Sequence, residues 1–353
     1  MAPRSRNMDG SASVTIHDVA RHAGVSSMTV SRVINRNVNV RGPLRERVLA
    51  SIAALNYTMN MAAHSTRSGR VSARIGILYS NPSAAYLNEV MLGGLEQSAK
   101  SGVTLLLEKC AGLQSQKQAM KRLLEQGVEG VILPPPLCDS QPTVDMLKRA
   151  GIPVLALATA APLADVSAVR IDDFQGALAM VRHLIKLGHK RIGFIKGDPQ
   201  HTPTQLRYLG FVKAMADANL PIEDALVVEG LFTFESGLKA AEILLKRGDR
   251  PSAIFASNDD MAAAVIALAH GLQINIPGDI SICGFDDTPV ATTMWPQITT
   301  IHQPIIAMGR AAVSTIAEKV RESRGGRDAM PRHQLMKFTL VERASTGPAP
   351  TAE

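Results

Sequence analysis

The sequence predicts an N-terminal all-α helix-turn-helix headpiece, followed by an α/β core of two doubly wound parallel-sheet subdomains. Three observations support this fold class. Residues 1–72 contain ten arginines, no lysine and three acidic residues, whereas the remaining chain has 28 basic and 28 acidic residues, so the whole net charge of +7 lies on the first segment. Within that segment, apolar residues recur at helical spacing and are interrupted by Gly24. After residue 72, apolar strand-like runs alternate with helical runs, as in parallel sheets covered on both faces.

Composition excludes several classes of protein. The 353 residues are 46% hydrophobic, which is enough for two or three globular domains, but no apolar run reaches the ~18 residues of a membrane span. The polar N-terminus does not resemble a secretory signal. The three cysteines have no disulfide or zinc spacing, so they are expected to be reduced, buried thiols in a cytoplasmic protein. No membrane partner, metal or cofactor is expected.

Two short helices are predicted in the stretch VTIHDVARHAGVSSMTVSRVIN. Thr15 opens a capping box, so the first helix should begin near Ile16. Gly24 permits a turn, and Ser26 can cap a second helix that extends through Asn35.

The second helix should have one buried and one exposed face. Val30, Val33 and Ile34 are expected to pack on Val19 and Ala20 in a small core. The outward residues are then Ser27, Met28, Ser31, Arg32 and Asn35. Such a helix can enter a DNA major groove, and the local positive charge favours a polyanionic partner. A two-helix packing unit without DNA contacts is the alternative; a solvated basic tail is disfavoured by the apolar core.

The core begins with a strand at 73–80 and a helix at 84–100. The other expected strands are 103–110, 130–135, 152–158, 168–173, 191–198, 225–230, 252–259 and 281–287. Further helices are expected at 174–188, 204–218, 236–248 and 260–272. Ligands of doubly wound sheets bind beyond the carboxyl ends of the strands. Polar residues at these ends are Asn81, Ser83, Asp198, Asn258, Asp259, Asp286 and Asp287.

Several motifs resemble the lactose/galactose repressor family (LacI/GalR) of bacterial transcription regulators. They are TIHDVARHAGVSSMTVSRVIN, LNYTMNMAAHSTRSGR, GHKRIGFIKGD, LRYLGF, SAIFASNDDMAAA, DISICGFDDTPVA and PQITTIHQP, and they extend over about residues 14–343. The resemblance implies a homodimeric repressor that reads two half-sites of double-stranded operator DNA. It also implies a hinge helix in the minor groove and a periplasmic-binding-protein-like core that senses a small molecule, which we expect to be a sugar or sugar derivative.

The resemblance also assigns DNA-binding residues. Ser27, Met28 and Arg32 match base-reading positions. Positions near phosphates or in helix packing are matched by Thr15, Ser26, Thr29, Ser31 and Asn35. The hinge helix is expected near 60–67, with Asn60, His64 and Thr66 as DNA contacts. Thr66 replaces the usual leucine wedge, so weaker DNA kinking is expected.

Six core residues match effector-binding positions of the family: Tyr86, His201, Arg207, Phe232, Asn258 and Asp286. An aromatic face with fixed donors and acceptors suits a polyhydroxylated ring. Structural roles are the alternatives: Asn258 and Asp286 could cap helices, Arg207 could pair with an acid, and His201 could lie on the surface. Ala158 replaces an acid that is frequent in the family, which removes one acceptor for a sugar hydroxyl.

The predicted domains are a headpiece at 14–58, a hinge helix and linker at 59–72, and a core at 73–345. Within the core, the N-subdomain covers about 73–172 and 303–330, and the C-subdomain covers about 173–302 and 334–345. The C-terminus shows no tetramerising heptads, which favours a dimer.

Two other classes of protein fit the sequence less well. An enzyme is disfavoured because the phosphate-loop, dinucleotide-binding and nucleophile-elbow motifs are absent from the sequence. The acid pairs 172–173 and 286–287 could suggest a metal site, but neighbours on a strand face opposite sides. A sugar-binding protein without a DNA-dependent role is the alternative, and the basic headpiece argues against it.

Overall fold

The computed structural model describes residues 16–34, 42–55, 72–326 and 330–350, and the chain divides into two compact units between Ser72 and Ala73. The helices are α1 Ile16–Ala23, α2 Ser27–Ile34, α3 Gly42–Ala54, α4 Ala84–Ser101, α5 Gly112–Glu125, α6 Gln141–Arg149, α7 Asp173–Lys186, α8 Thr202–Asp217, α9 Phe234–Leu245, α10 Asp259–Gly271, α11 Pro289–Thr293 and α12 Ile305–Arg324. The strands are β1 Arg74–Tyr79, β2 Thr104–Lys109, β3 Gly130–Leu133, β4 Val154–Leu157, β5 Ser167–Arg170, β6 Ile192–Ile195, β7 Val227–Val228, β8 Ala253–Ala256, β9 Ser281–Cys283, β10 Thr300–His302, β11 His333–Leu335 and β12 Thr339–Val341.

The first unit is helical, as predicted, and its helices share a small apolar core. Val19 of α1 and Val30 of α2 are fully buried, and both belong with Val33 to one apolar cluster. Val48 brings α3, a helix that the sequence reasoning did not single out, into the same core. Val30 and Val33 are therefore buried as predicted, whereas the side chain of Ile34 lies outside the described residues.

The core unit contains two parallel sheets, and this confirms the predicted α/β class. The first sheet has the strand order β11-β5-β4-β3-β1-β2, and the second has the order β7-β6-β8-β9. Every pairing within these two sheets is parallel. In each sheet the order reverses beside the first strand, β1 or β6, which creates the crevice where doubly wound folds bind ligands.

The chain crosses between the two halves at three places among the described core residues. After β5 it enters α7, which packs on α8 of the second half; after β10 it returns to α12; and after β11 it enters β12, which pairs with β10. Strand β11 pairs with β5, so it belongs to the first sheet. The predicted return to the second half at about residue 334 falls inside this strand, and the structure places the crossing after Leu335 instead.

Helices α4 and α12 cover the first sheet and touch through glycine. A Cβ atom at Gly93 would lie 1.9 Å from the Ile306 carbonyl oxygen, and one at Gly309 would lie 2.4 Å from the Val90 carbonyl oxygen. Only glycine at both positions allows the two backbones to approach so closely. The α12 side chains then pack against the strands of the first sheet.

All nine predicted core strands are present but shorter than expected; 281–287, for example, forms only Ser281–Cys283. Two of them have an identifiable local cause. The stretch 225–230 forms only the two-residue β7, because a 3₁₀ turn, Asp224–Leu226, takes up its start. In the stretch 168–173 the strand ends at Arg170, because Asp172 caps α7 and Asp173 is its first residue.

Candidate functional site

The helix-turn-helix unit presents an exposed face on α2. Ser26 caps this helix: its Oγ accepts a hydrogen bond from the Thr29 backbone N–H at 3.2 Å. Gly24 has a φ of 61°, the left-handed conformation that ends α1 and turns the chain. The Met28 side chain is 64% exposed, and Arg32 is also exposed. This face therefore offers an apolar and a cationic side chain to base edges and phosphates.

The other predicted DNA contacts are only partly placed. Ser27 and Thr29 are half-buried in the first turn of α2, where Thr29 Oγ1 lies 2.9 Å from Ser26 Oγ. The remaining predicted contacts lie outside the described residues: Thr15, Asn35, the side chain of Ser31, and the hinge helix with Asn60, His64 and Thr66.

The core contains a cavity that opens to solvent, and the space between its walls, part of it open solvent, is about 440 Å³. Its lining comes from both halves. The first half contributes loops after β1, β3 and β4, and the second half contributes loops after β6, β7, β8 and β9. Parallel strands bring all these loops to one edge of each sheet, and the two edges face the same cavity.

All six predicted effector residues line this cavity: Tyr86, His201, Arg207, Phe232, Asn258 and Asp286. Asn81 and Ser83, which the sequence marked as polar strand ends, also line the cavity, whereas two further polar lining residues, Asp173 and Gln303, were not predicted as effector contacts. Asp173 lies three residues after the end of β5, and the strand-end rule that marked Asn258 and Asp286 could have found it. Gln303 lies on a segment that crosses between the halves, and no local signal marks it.

Arg207 is the central charge of the cavity. It is 5% exposed, and its Nε donates to Asp173 Oδ1 at 2.9 Å. Its Nη1 donates to the Ser257 carbonyl oxygen and lies 3.5 Å from Asp286 Oδ1. The guanidinium also stacks 3.7 Å from the centre of the Phe285 ring. The acid-pairing alternative for Arg207 is therefore realised in the structure, although the residue still faces the cavity.

The carboxyl groups beside Arg207 titrate abnormally. Burial raises the pKa of Asp286 to about 7, although the positive charge of Arg207 and a hydrogen bond from Gln303 oppose this rise. Burial also raises the pKa of Asp173, again opposed by Arg207. Desolvation thus outweighs pairing at both carboxyls, as expected for charges removed from water.

Asn258 has the structural role that was its alternative. Its Oδ1 accepts from the Met261 backbone N–H at 3.0 Å and so caps α10, while its Nδ2 donates to the Phe232 carbonyl oxygen at 3.1 Å. Asp286 caps no helix; its Oδ1 accepts from Gln303 Nε2 at 2.7 Å. The Asn258 amide therefore holds the Phe232 loop in place.

Phe232 forms an aromatic wall in a strained backbone. Its φ is 60°, and its ring stacks on His201 with centres 5.1 Å apart. The ring lies directly over Gly197, where a Cβ atom would be 1.9 Å from Phe232 Cζ. Gly197 therefore makes the space that the ring occupies.

Two polar atoms of the cavity wall lack a hydrogen-bond partner. Among the described residues, Tyr86 Oη and His201 Nε2 are the buried side-chain nitrogen and oxygen atoms without one. Asp198 is 3.9 Å from His201 Nε2, beyond hydrogen-bonding distance. Burial raises the pKa of Tyr86 well above its ordinary value and lowers the pKa of His201, which keeps both groups neutral near pH 7. Unsatisfied buried polar groups are costly, so both atoms favour a polar ligand between the two halves.

The two acid pairs, 172–173 and 286–287, do not lie on strands, contrary to the prediction. Asp172 caps α7 and Asp173 begins it, while Asp286 and Asp287 follow β9 with φ values of 113° and 59°. Even so, the described ranges contain no group of three or more histidine, cysteine, aspartate or glutamate residues able to hold a metal ion. Nor does any helix within those ranges have the length and apolarity to span a membrane.

Comparison with known proteins gives matches to both units. Residues 15–60 match the profile for bacterial regulatory proteins of the lacI family, and residues 181–346 match the periplasmic binding protein-like domain. The catabolite control protein A of Priestia megaterium is 32% identical over 86% of this chain and 92% of its own length. The HTH-type transcriptional repressor PurR of Photorhabdus laumondii is 33% identical over 95% of this chain and 98% of its own length.

Solved structures agree with these relatives. The lac repressor dimer bound to operator and the anti-inducer ONPF is 28% identical, with a TM-score of 0.77 over 95% of this chain and all of that one. A complex of the transcriptional regulator CelR with cellobiose is 27% identical, with a TM-score of 0.71 over 94% of this chain and 99% of that one.

The helix-turn-helix unit, the two-sheet core and these relatives define a DNA-binding transcription regulator rather than an enzyme. The chain belongs to the lacI family of bacterial regulatory proteins. The resemblance predicted from the sequence motifs is thereby confirmed.

Proposed function

We propose that this regulator represses transcription by binding operator DNA as a homodimer, and that a carbohydrate or carbohydrate derivative in the core cavity changes its operator affinity. The observation that carries the proposal is the pair of unpartnered atoms, Tyr86 Oη and His201 Nε2, in a cavity with the aromatic wall of Phe232. A polar ring can stack on the aromatic face while its hydroxyls both donate and accept hydrogen bonds.

The two halves of the cavity suggest how the effector acts. Tyr86 belongs to the first half and His201 to the second, so a ligand that bonds both favours one arrangement of the halves. A ligand shifts an equilibrium only through its differential affinity for the two states. In this proposal the shift reaches DNA through the segment 59–72, and the regulator acts in the cytoplasm.

The outer face of α4 supports the dimer. Leu92 and Leu95 are 51% and 54% exposed there, and Leu107 on the edge strand β2 is 45% exposed. Exposed apolar side chains of this size on one half of the core favour burial against another protein surface. A second copy of the chain is the proposed partner.

The test combines operator titration with a mild change in the cavity. DNA from upstream of the protein's own gene is titrated with and without each member of a carbohydrate panel. If about ten phosphates are contacted, log affinity falls with log salt at a slope of about −9. Arg32→Ala should relax discrimination at one base pair, at a cost of about 1–3 kcal/mol.

Tyr86→Phe should weaken the effective carbohydrate about tenfold, because one hydrogen bond is lost, while operator affinity without carbohydrate stays unchanged. Tyr208→Phe is the matched control, since Tyr208 is not among the cavity-lining residues. A salt slope near zero contradicts the DNA-binding part. Equal carbohydrate responses in the two tyrosine variants contradict the effector site, and tight carbohydrate binding without DNA binding supports a sugar-binding protein instead.

A further inference from the structure

A cluster of hydrogen bonds joins the two halves of the core beside the cavity. Asp139 lies in the first half, in the 3₁₀ turn Leu137–Asp139 after β3, and Thr202 begins α8 in the second half. Asp139 Oδ2 accepts from the Thr202 backbone N–H at 2.9 Å and from Thr202 Oγ1 at 3.0 Å. Thr202 Oγ1 also accepts from the Ala160 backbone N–H, in the first half, at 2.8 Å. These contacts span residues that are far apart in sequence.

Asp139 is fixed in place by its own half. Its second oxygen, Oδ1, accepts from Thr159 Oγ1 at 2.7 Å, and Thr159 is 1% exposed. The Thr159 hydroxyl accepts in turn from the Ala161 backbone N–H at 3.2 Å. A carboxylate held on one oxygen presents the other in a defined direction, so it can serve as a rigid acceptor for the opposite half.

Helix α8 depends on this acceptor. The first N–H groups of a helix need partners from outside the helix, and the residue before α8, His201, makes no side-chain capping bond. The carboxylate of Asp139 supplies the cap from across the cleft, and a negative charge at a helix N-terminus is favourable. Helix α8 carries Arg207, and His201 precedes it directly, so the cap lies at the base of the second cavity wall.

We propose that Asp139, Thr159, Ala160 and Thr202 form a latch, in which Asp139 is a positioning residue that holds the two halves together and sets His201 against the cavity. The latch residues do not line the cavity, whereas their neighbours Ala158, His201 and Pro203 do. A ligand in the cavity therefore does not replace the latch bonds. The latch therefore stabilises the closed arrangement, in which the two halves are in contact, even without a ligand. This step rests on the proposed function: the effector has to supply only the remaining free-energy difference between the open and closed arrangements.

The experiment measures the distance between the halves in the full-length protein, without DNA or carbohydrate. The Lys121 and Lys239 side chains are exposed, one in each half, and the native cysteines are buried. Spin labels at Lys121→Cys and Lys239→Cys then report opening by pulsed electron paramagnetic resonance. Asp139→Ala should raise the ratio of long to short distances about tenfold, because charge-assisted hydrogen bonds are lost. A second hydrogen bond across the cleft, from Ser83 Oγ to Asp260 Oδ2 at 2.6 Å, should remain in this variant.

Two further variants and a control complete the design. Thr202→Val removes the hydroxyl but keeps the N–H, so it should open the core by a smaller factor, and Asp139→Asn should restore part of the closure. Asp279→Ala is the control, because its carboxylate accepts the Asn275 N–H at 2.8 Å within one half, and its distances should match the wild type. If Asp139→Ala or Thr202→Val gives the same distances as Asp279→Ala, the latch is refuted. This result does not depend on whether the protein binds an operator or a carbohydrate.

Discussion

A methyl group at Gly197 should collide with the aromatic wall of the cavity. The Cβ of Gly197→Ala would lie 1.9, 2.4 and 2.5 Å from three atoms of the Phe232 ring, whereas ordinary contacts begin at 3.4 Å. The ring must therefore move by about 1.5 Å, which is the scale of a core overpacking change. Gly197 is not in the left-handed region, so the cost of the side chain is steric rather than conformational.

The cost can be isolated with a double-mutant cycle. Gly197→Ala should lower the free energy of unfolding by about 1–3 kcal/mol. Phe232→Ala alone should lower it by about 3 kcal/mol, since the ring is buried and leaves a cavity. In the double variant the methyl group has room, so Gly197→Ala should add almost nothing, and the coupling free energy should be about 1–3 kcal/mol.

Urea denaturation followed by far-UV circular dichroism measures the four free energies. Gly248→Ala is the control, because nothing lies within 4 Å of its Cβ position, and it should change stability by less than about 0.5 kcal/mol. Additive effects of the two cavity substitutions would show that Gly197 and Phe232 do not share this space. The reason given for glycine at 197 would then be wrong.

Two more predictions concern pH. The folded-state pKa of Asp286 is about 7, above its ordinary 3.8. The stability that this carboxyl group contributes is therefore complete below about pH 4 and is lost as the pH rises through 7. Asp286→Asn should flatten this fall in the free energy of unfolding, and an unchanged pH profile would contradict the shift. His189 is buried, with Ser252 Oγ at 2.9 Å, Ser281 Oγ at 3.0 Å and the Gly347 carbonyl oxygen at 3.1 Å, and burial lowers its pKa below 6.5. The stability it contributes is therefore present above about pH 6.5 and is lost as the pH falls through the lowered pKa. The protection factors of the amides in residues 345–349, which are corrected for the intrinsic pH dependence of exchange, should fall on acidification in the wild type and much less in His189→Gln; equal profiles would contradict this role of His189.

The place of the cavity was predictable because doubly wound parallel sheets bring the loops at the carboxyl ends of their strands together, and this rule marked Asn258 and Asp286. Tyr86, His201, Arg207 and Phe232 were identified only by the resemblance to effector-binding positions of the family. Helix-turn-helix spacing was equally local: a glycine, a capping serine and valines at helical intervals determine the first unit.

The features that escaped prediction depend on contacts between distant residues. Asp139 and Thr202 are 63 residues apart, and neither carries a motif that indicates the other. Gln303 reaches Asp286 only because the chain crosses between the halves there. The pairing of Arg207 with Asp173 likewise needs the relative placement of α7 and α8. Local periodicity does not contain this information.

The order in which the strands join the first sheet affects how the protein can fold as it is synthesised. Strands β1 to β5 emerge from the ribosome early, but α12, which covers their apolar face, and β11, which pairs with β5, emerge only with residues 305–335. Most of the second half lies between β5 and α12 in the sequence, but its strand β10 pairs with β12, which is synthesised after β11. Neither half can therefore be completed until nearly the whole chain has been made, and apolar strands must remain unaggregated in the meantime.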